Sequence, residues 1–152
     1  VSGCRFDGID LGGKSGNSNI IERCVVRTVG RLGLHANVVI SSAATDCGNI
    51  TIFAQTVRDC FASSTGGIAI WGDVVNNSHG VGSTTGIFAE ASVSNSYGES
   101  QGNSPGISCT SGTVSFSRGK SASGFAISSA IAIGCTSAGG GINSPQKHLG
   151  TP

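Results

Sequence analysis

Charge is scarce in this chain. Asp, Glu, Lys and Arg make up 11% of its 152 residues, nine basic against eight acidic, where soluble domains usually carry about a quarter. No basic patch remains to follow a nucleic-acid backbone. No run of eighteen apolar residues occurs, so no helical membrane span is expected. Methionine is absent and no leader-like segment stands at the front. The chain reads as a mature or trimmed product, and a missing targeting signal then carries little meaning. No window shows helical spacing. No Cys-x-x-Cys occurs, which removes the usual zinc frame.

What is abundant is small and regular. There are 25 glycines, and the order beneath them is a repeat, the signature to seek before any other. A lead aliphatic falls at Ile21, Val39, Val57, Val75 and Val93 in steps of eighteen. It returns at Val114 after twenty-one and at Ala132 after eighteen. Three residues after each lead comes a small side chain, at Cys24, Ser42, Cys60, Ser78, Ser96, Ser117 and Cys135. Two further on stand Val26, Ala44, Ala62, Gly80, Gly98, Gly119 and Ser137. A second apolar set, with slips in spacing, runs Leu32, Ile50, Ile68, Ile87, Ile107, Phe125 and Ile142. Two residues after it come Leu34, Ile52, Ile70, Ala89, Cys109 and Ile127. Val1, Cys4, Phe6, Ile9 and Leu11 read as a shortened first turn.

Apolar spacing of two is strand spacing, and eighteen residues are too few for a βαβ unit. Stacking turn on turn sets like residues about 4.8 Å apart, so eight turns make a rod of roughly 38 Å. Each turn is then stable only against its neighbours. A left-handed hexapeptide coil needs an inward aliphatic every sixth residue. From Val57 it lands on Ser63 and Ala69, and from Val39 on Thr45 and Thr51, so that register fails.

The pattern V-x-x-[C/S]-x-[A/G]…G-I-x-[I/A] resembles the right-handed parallel β-helix repeat proteins, the broad superfamily that includes pectate lyases. The resemblance covers nearly the whole chain and concerns the fold. It implies an all-β, single-stranded right-handed parallel β-helix of about eight turns, with residues 1–142 as the solenoid and 143–152 as a C-terminal tail or cap. That family often stacks Asn three residues after the lead, where this chain has Cys or Ser. Pro145 and Pro152 cannot donate ladder bonds, and His148 reads as a solvated tail residue.

Six cysteines invite a disulfide framework. Cys4, Cys24, Cys60 and Cys135 share one inward column, however, and Cys24 and Cys60 are two turns apart, roughly 9–10 Å, too far to bridge. Cys47 and Cys109 fall in other columns. Free cysteines packed as small hydrophobes are expected.

Several outward residues are candidates for chemistry. Asp7 and Asp10 are read as solvent-facing carboxylates and not as a metal site, because calcium wants six or more oxygens; no cofactor is expected. Glu22 shares a column with Arg58, and Arg23 with Asp59, as solvated surface charges. His35, Phe53 and Trp71 fall on three successive turns, with Glu90 beside them. That stripe can stack sugars, bury against a partner, or simply pack across strands. Asn49-Ile50-Thr51 and Asn76-Asn77-Ser78 fit the glycosylation sequon. The three extra residues before Val114 are expected around Gly98–Pro105.

Enzymes of the resembled superfamily cut acidic polysaccharides with clustered carboxylates and an Arg or Lys base. Here Asp7, Asp10, Glu22, Asp46, Asp59, Asp73, Glu90 and Glu99 scatter over several faces. Asn76-Asn77-Ser78-His79-Gly80 resembles the G-H-G segment of polygalacturonases only in part, since the first Gly and the D-D and R-I-K partners are missing. No catalytic residue is therefore assigned. The expectation is a structural, extracellular or cell-surface solenoid that associates with itself head to tail, as a filament, a surface layer or the rod of a longer adhesin. The alternative is a polysaccharide-binding or polysaccharide-degrading β-helix.

Overall fold

A computed structural model of the chain describes residues 1–12 and 18–148. These residues form strands and turns with no helix. In chain order the strands are β1 (Ile9–Asp10), β2 (Ile20–Glu22), β3 (Val25–Val29), β4 (Leu34–Ile40), β5 (Ala43–Cys47), β6 (Ile52–Arg58), β7 (Phe61–Ser64), β8 (Ile70–Asn76) and β9 (His79–Gly82). There follow β10 (Ile87–Ser94), β11 (Tyr97–Ser100), β12 (Ile107–Ser115), β13 (Arg118–Ser121), β14 (Ile127–Ile133), β15 (Thr136–Ala138), β16 (Ile142–Asn143) and β17 (Gln146–His148).

Every pairing between them is parallel. The long strands stack in the order β1-β4-β6-β8-β10-β12-β14-β16, and the short ones in the order β3-β5-β7-β9-β11-β13-β15. The chain is thus a β-solenoid. Each coil is one long strand, a corner, one short strand and a closing loop. Seven coils are complete through the short sheet, with a shortened coil before them.

The corner is the most regular feature. The residue that makes it has positive φ in every coil: Arg23 (53°), Ser41 (48°), Asp59 (55°), Asn77 (46°), Asn95 (47°), Phe116 (46°) and Gly134 (58°). A left-handed residue turns the chain in one step, and Asn, Asp and Gly adopt that conformation most readily. The residue that follows is always Ser or Cys, and its side chain donates to the carbonyl two residues back. Ser42 does so to Ile40 at 2.8 Å, Ser78 to Asn76 at 2.8 Å, Ser96 to Ser94 at 2.7 Å and Ser117 to Ser115 at 2.8 Å. The thiols of Cys24, Cys60 and Cys135 do the same at 3.4, 3.1 and 3.4 Å. Each serine hydroxyl also accepts the backbone N–H of the coil before it, from Cys24, Cys60, Ser78 and Ser96 at 3.1–3.2 Å. The small column read from the sequence is therefore a hydrogen-bonded spine.

Inside, two aliphatic ladders face the short sheet. Leu34, Ile52, Ile70, Ile87, Ile107 and Ile127 form one, and Val39, Val57, Val75, Val93, Val114 and Ala132 the other, all fully buried. Each of the Leu, Ile and Val side chains contributes about 1.5–3 kcal/mol on burial. Opposite them the inward column of the short sheet shrinks along the rod, from Val26 through Ala44 and Ala62 to Gly80, Gly98 and Gly119. A Cβ at Gly98 would lie 2.4 Å from the Gly106 carbonyl oxygen and 2.5 Å from Ile107. No larger residue fits where the sheets come that close.

Four expectations need correction. Ile87, Ile107 and Ile142 stack with Leu34, Ile52, Ile70 and Ile127 rather than with Leu32, Ile50, Ile68 and Phe125. Likewise Ala89 pairs with Gly72 and Cys109 with Ser129. The closing loops vary in length and absorb the slips, while the strands hold register. Next, the three extra residues do not all sit at Gly98–Pro105. Val57 to Ile70 is thirteen residues and Val93 to Ile107 fourteen, which is one more, whereas Ile70 to Val75 is five and Ile107 to Val114 seven, which is two more. Those two form a bulge in β12 between Cys109 and Thr113, beside a smaller one in β10 between Ala89 and Ser92. Third, in the first coil only Cys4 and Ile9 pack on the core, while Val1, Phe6 and Leu11 are exposed. Fourth, Asp7 and Asp10 do not simply face water. Asp7 Oδ1 accepts the Leu32 N–H at 3.0 Å, and Asp10 Oδ1 accepts the Gly12 N–H and meets His35 Nδ1, both at 2.8 Å. They tie the short first coil to the second.

At the far end the boundary expected at 142 falls inside β16, and β17 still adds to β14. Pro145 lies between these two strands, where no ladder donor is needed. Residues 13–17, residues 149–152 with Pro152, and the side chain of His148 lie outside the described residues. All six cysteines are free.

The spine makes a direct prediction. Ser96→Ala strips the Ser78 N–H of its acceptor and the Ser94 carbonyl of its donor. Urea unfolding should show a loss of about 1–3 kcal/mol, the cost of an unsatisfied buried group. Ser96→Cys keeps the donor and should recover part of that loss.

Candidate functional site

Two outward surfaces run along the rod, one on each sheet. On the long sheet, the register stacks Asp10, His35, Phe53, Trp71 and Phe88 on successive coils. The expected stripe is therefore one residue longer, because Phe88 is the in-register partner of Trp71. Ring centroids are 4.9 Å apart for His35–Phe53, 5.4 Å for Phe53–Trp71 and 5.2 Å for Trp71–Phe88. The His35 and Phe53 planes differ by 21°, so these two rings cover each other's faces. Trp71 is tilted by 54° from Phe53 and by 70° from Phe88.

A shallow groove runs beside the stripe, with Asn37, Gln55, Asp73 and Glu90 on its polar side. Asn37 donates to Gln55 at 3.3 Å. Glu90 stands exposed at the β10 bulge, and bulges commonly re-aim a side chain in this way. Beyond Phe88 the same column continues as Ser108 and Ser128, so the aromatic surface ends there.

The second surface is a longer groove over the left-handed corner. Its floor is the Ser/Cys spine. One rail is the corner residues, among them Asp59, Asn77 and Asn95, and the other is the first outward position of each short strand, Phe61, His79, Tyr97 and Arg118. His79 lies 5.1 Å from Phe61 and 4.6 Å from Tyr97, with its plane turned by 69° and 75° from theirs. Asn77 donates to Asp59 at 2.6 Å. One coil on, the Tyr97 hydroxyl donates to Glu99 Oε2 and Lys120 Nζ to Glu99 Oε1, each at 2.8 Å. These contacts shift the groups they join. Lys120 is the main cause that lowers the Glu99 pKa, and Glu99 raises that of Lys120. Burial, followed by the hydrogen bond to Glu99, raises Tyr97. His79 has an exposed edge, yet packing between two rings removes water from the imidazole and lowers its pKa, with Glu99 opposing.

Two further pairs are local, Arg23–Glu22 at 3.5 Å and Arg58–Asp59 at 3.6 Å. The column partners Glu22 and Arg58 are separated by Ile40, as expected. Of the eight acids, Asp73 and Glu90 share the stripe groove while Asp59 and Glu99 lie at the corner groove or beside it. Among the described residues no three His, Cys, Asp or Glu gather as a metal site. Thr51 and Ser78 of the two sequons are buried, and Asn76 donates to Ser94 at 2.6 Å.

Phe88, Phe61, Tyr97, Asn95, Arg118 and Lys120 are among the surface residues the sequence reading missed. Phe61, His79, Tyr97 and Arg118 each stand four residues after a lead aliphatic, so the same eighteen-residue count would have found that rail. Phe88 is hidden from the count by the shortened loop before it.

No protein-family model matches the chain, and no curated protein or solved structure matches it significantly. Its likeness to the parallel β-helix repeat proteins is one of fold.

The lowered His79 pKa has a sign that can be checked. The folded state binds a proton on this imidazole less readily than the unfolded chain, which takes one up near the ordinary value of about 6.5. Stability should therefore fall as pH drops from 7.5 to 5.5, and the fall should be smaller in His79→Phe. Glu99, held low by Lys120, loses its contribution only at more acid pH. Thermal unfolding of both proteins across that window measures the difference.

Proposed function

We propose that this solenoid is a structural rod outside the cell that associates end to end with further copies of itself. The observation that supports this reading is the first coil. Val1, Phe6, Leu11 and Ile20 are 48–61% exposed, and among the described residues β1 and β2 each pair only with β4, which leaves an open edge. At the other end, among the described residues, β16 and β17 pair only with β14, and β15 only with β13. Unpaired strand edges are templates for further strands. Contacts of one end with the opposite end of another copy do not close, so they build filaments. Low charge and a Ser/Thr/Gly-rich surface suit close packing of such rods.

Electron microscopy over a range of protein concentrations is the test. Fibres one solenoid wide are the expected result, and Phe6→Asp combined with Leu11→Asp should shorten or abolish them. Single short rods at every concentration would instead favour these coils serving within a longer surface protein.

A second reading, glycan binding, is favoured by one observation. Trp71 is half-buried at the centre of the aromatic stripe, with Gln55, Asp73 and Glu90 lining the same groove. An apolar ring beside hydrogen-bonding groups suits a sugar. Trp71→Ala should then abolish retention on a glycan array while thermal unfolding stays cooperative; unchanged retention removes this reading.

A further inference from the structure

The corner groove is a separate feature from the aromatic stripe and from the ends of the rod, and its relief is specific. Rings at Phe61, His79 and Tyr97 follow one another at 5.1 and 4.6 Å, each turned by 69–75° from the next. Such alternation produces ridges and slots rather than a flat platform, so it does not suit the broad face of a sugar ring. The spacing then selects among extended chains. Two coils span roughly 9.6 Å at strand separation. A fully extended strand repeats its side-chain direction every two residues, about 6.6 Å, and misses that spacing. A polyproline II helix repeats every three residues at about 3.1 Å each, or about 9.3 Å, and matches it. It also has no internal hydrogen bonds, so its carbonyls need donors. The opposite rail supplies them in the exposed amides of Asn77 and Asn95.

Charge adds polarity. Arg118 is the in-register neighbour of Tyr97 and makes no ion pair among the described residues, whereas the nearby Lys120 is matched by Glu99. At the other end of the rings, Asp59 is already held by Asn77 and Arg58. The open charge of the groove is thus positive and lies at the Arg118 end.

We propose that the corner groove binds a proline-rich peptide in the polyproline II conformation, lying along the rod, with prolines three residues apart against Phe61 and Tyr97 on either side of the His79 ring and an acidic residue at Arg118. Aromatic-lined grooves use the low entropy of this preformed helix. Six coil steps of roughly 4.8 Å would seat about nine residues of it. The inference does not depend on end-to-end stacking, since a single rod presents the whole groove.

The probes are labelled decaproline peptides bearing two aspartates at one end or the other, with a Gly/Ser peptide of equal charge as control. Fluorescence anisotropy should show saturable binding of one decaproline peptide and none of the control. Tyr97→Ala and His79→Ala should each weaken it by about tenfold, about 1.4 kcal/mol, which is in the range of one aromatic contact. Arg118→Ala should weaken it and flatten its salt dependence, while Trp71→Ala on the other sheet should leave it unchanged. Arg118 and Asn95 are exposed, so Arg118→Ala and Asn95→Ala keep the test usable should a ring variant fail to fold. Equal binding of the Gly/Ser control, or no saturable binding of either proline peptide, overturns the proposal. So does retention of neutral oligosaccharides that is lost in Tyr97→Ala, which would make the groove a glycan site.

Discussion

Everything in this rod depends on one corner repeated seven times. A single left-handed residue reverses the direction of the chain, and the Ser or Cys after it donates to the carbonyl two residues back. The bond closes the corner locally, so each coil brings its own bracket. Where the next coil supplies a serine, the same oxygen accepts an N–H from the coil before. One small atom thus both shapes a turn and registers it against its neighbour. A stacked Asn ladder, the usual device in the resembled family, is not needed. Left-handed geometry costs about 1–2 kcal/mol for a residue with a Cβ. Asp59, Asn77, Asn95 and Gly134 tolerate it best, while Arg23 and Phe116 adopt it without that advantage.

The inward columns then settle size, and the outward columns are left to vary. The column narrows from Val26 to Gly119, and at Gly80, Gly98 and Gly119 the backbone opposite lies so close that a methyl group no longer fits. Along the outside, one residue per coil repeats without any demand from the core. That freedom lets the chain place His35, Phe53, Trp71 and Phe88 on one face and Phe61, His79 and Tyr97 on the other. Bulges at Glu90 and at Thr110–Gly112 interrupt the first surface without breaking the aliphatic ladder beneath it. The same separation of inside from outside explains why a confident fold says little about a ligand.

The columns that could be read from the sequence are those under strong steric control. The steps from Ile21 to Val93, the Ser/Cys spine and the shrinking small column all fall where the repeat places them, in steps of eighteen with one of twenty-one. The second aliphatic set was legible only in part. The loops before Ile87 and Ile107 differ in length, and a loop exposed to water has no reason to keep count. With that set misaligned, Phe88 was not seen as the neighbour of Trp71. The roles of Asp7 and Asp10 were out of reach for another reason. Their partners are a backbone N–H at Leu32 and the ring of His35, and hydrogen bonds of that kind leave no period behind. The corner groove needed both rails and their ring planes, which only coordinates provide.

The register has a consequence for how such a chain comes into being. Ile52 rests on Leu34 and Ile70 on Ile52, each eighteen residues apart, and even the longest step, from Ile9 to Leu34, is only twenty-five. The distance along the chain between stacked neighbours does not grow as the rod lengthens. Emerging from a ribosome, each coil therefore finds its docking surface already finished one coil upstream. Assembly can proceed vectorially, as zipping, with a search that is no harder at the seventh coil than at the second.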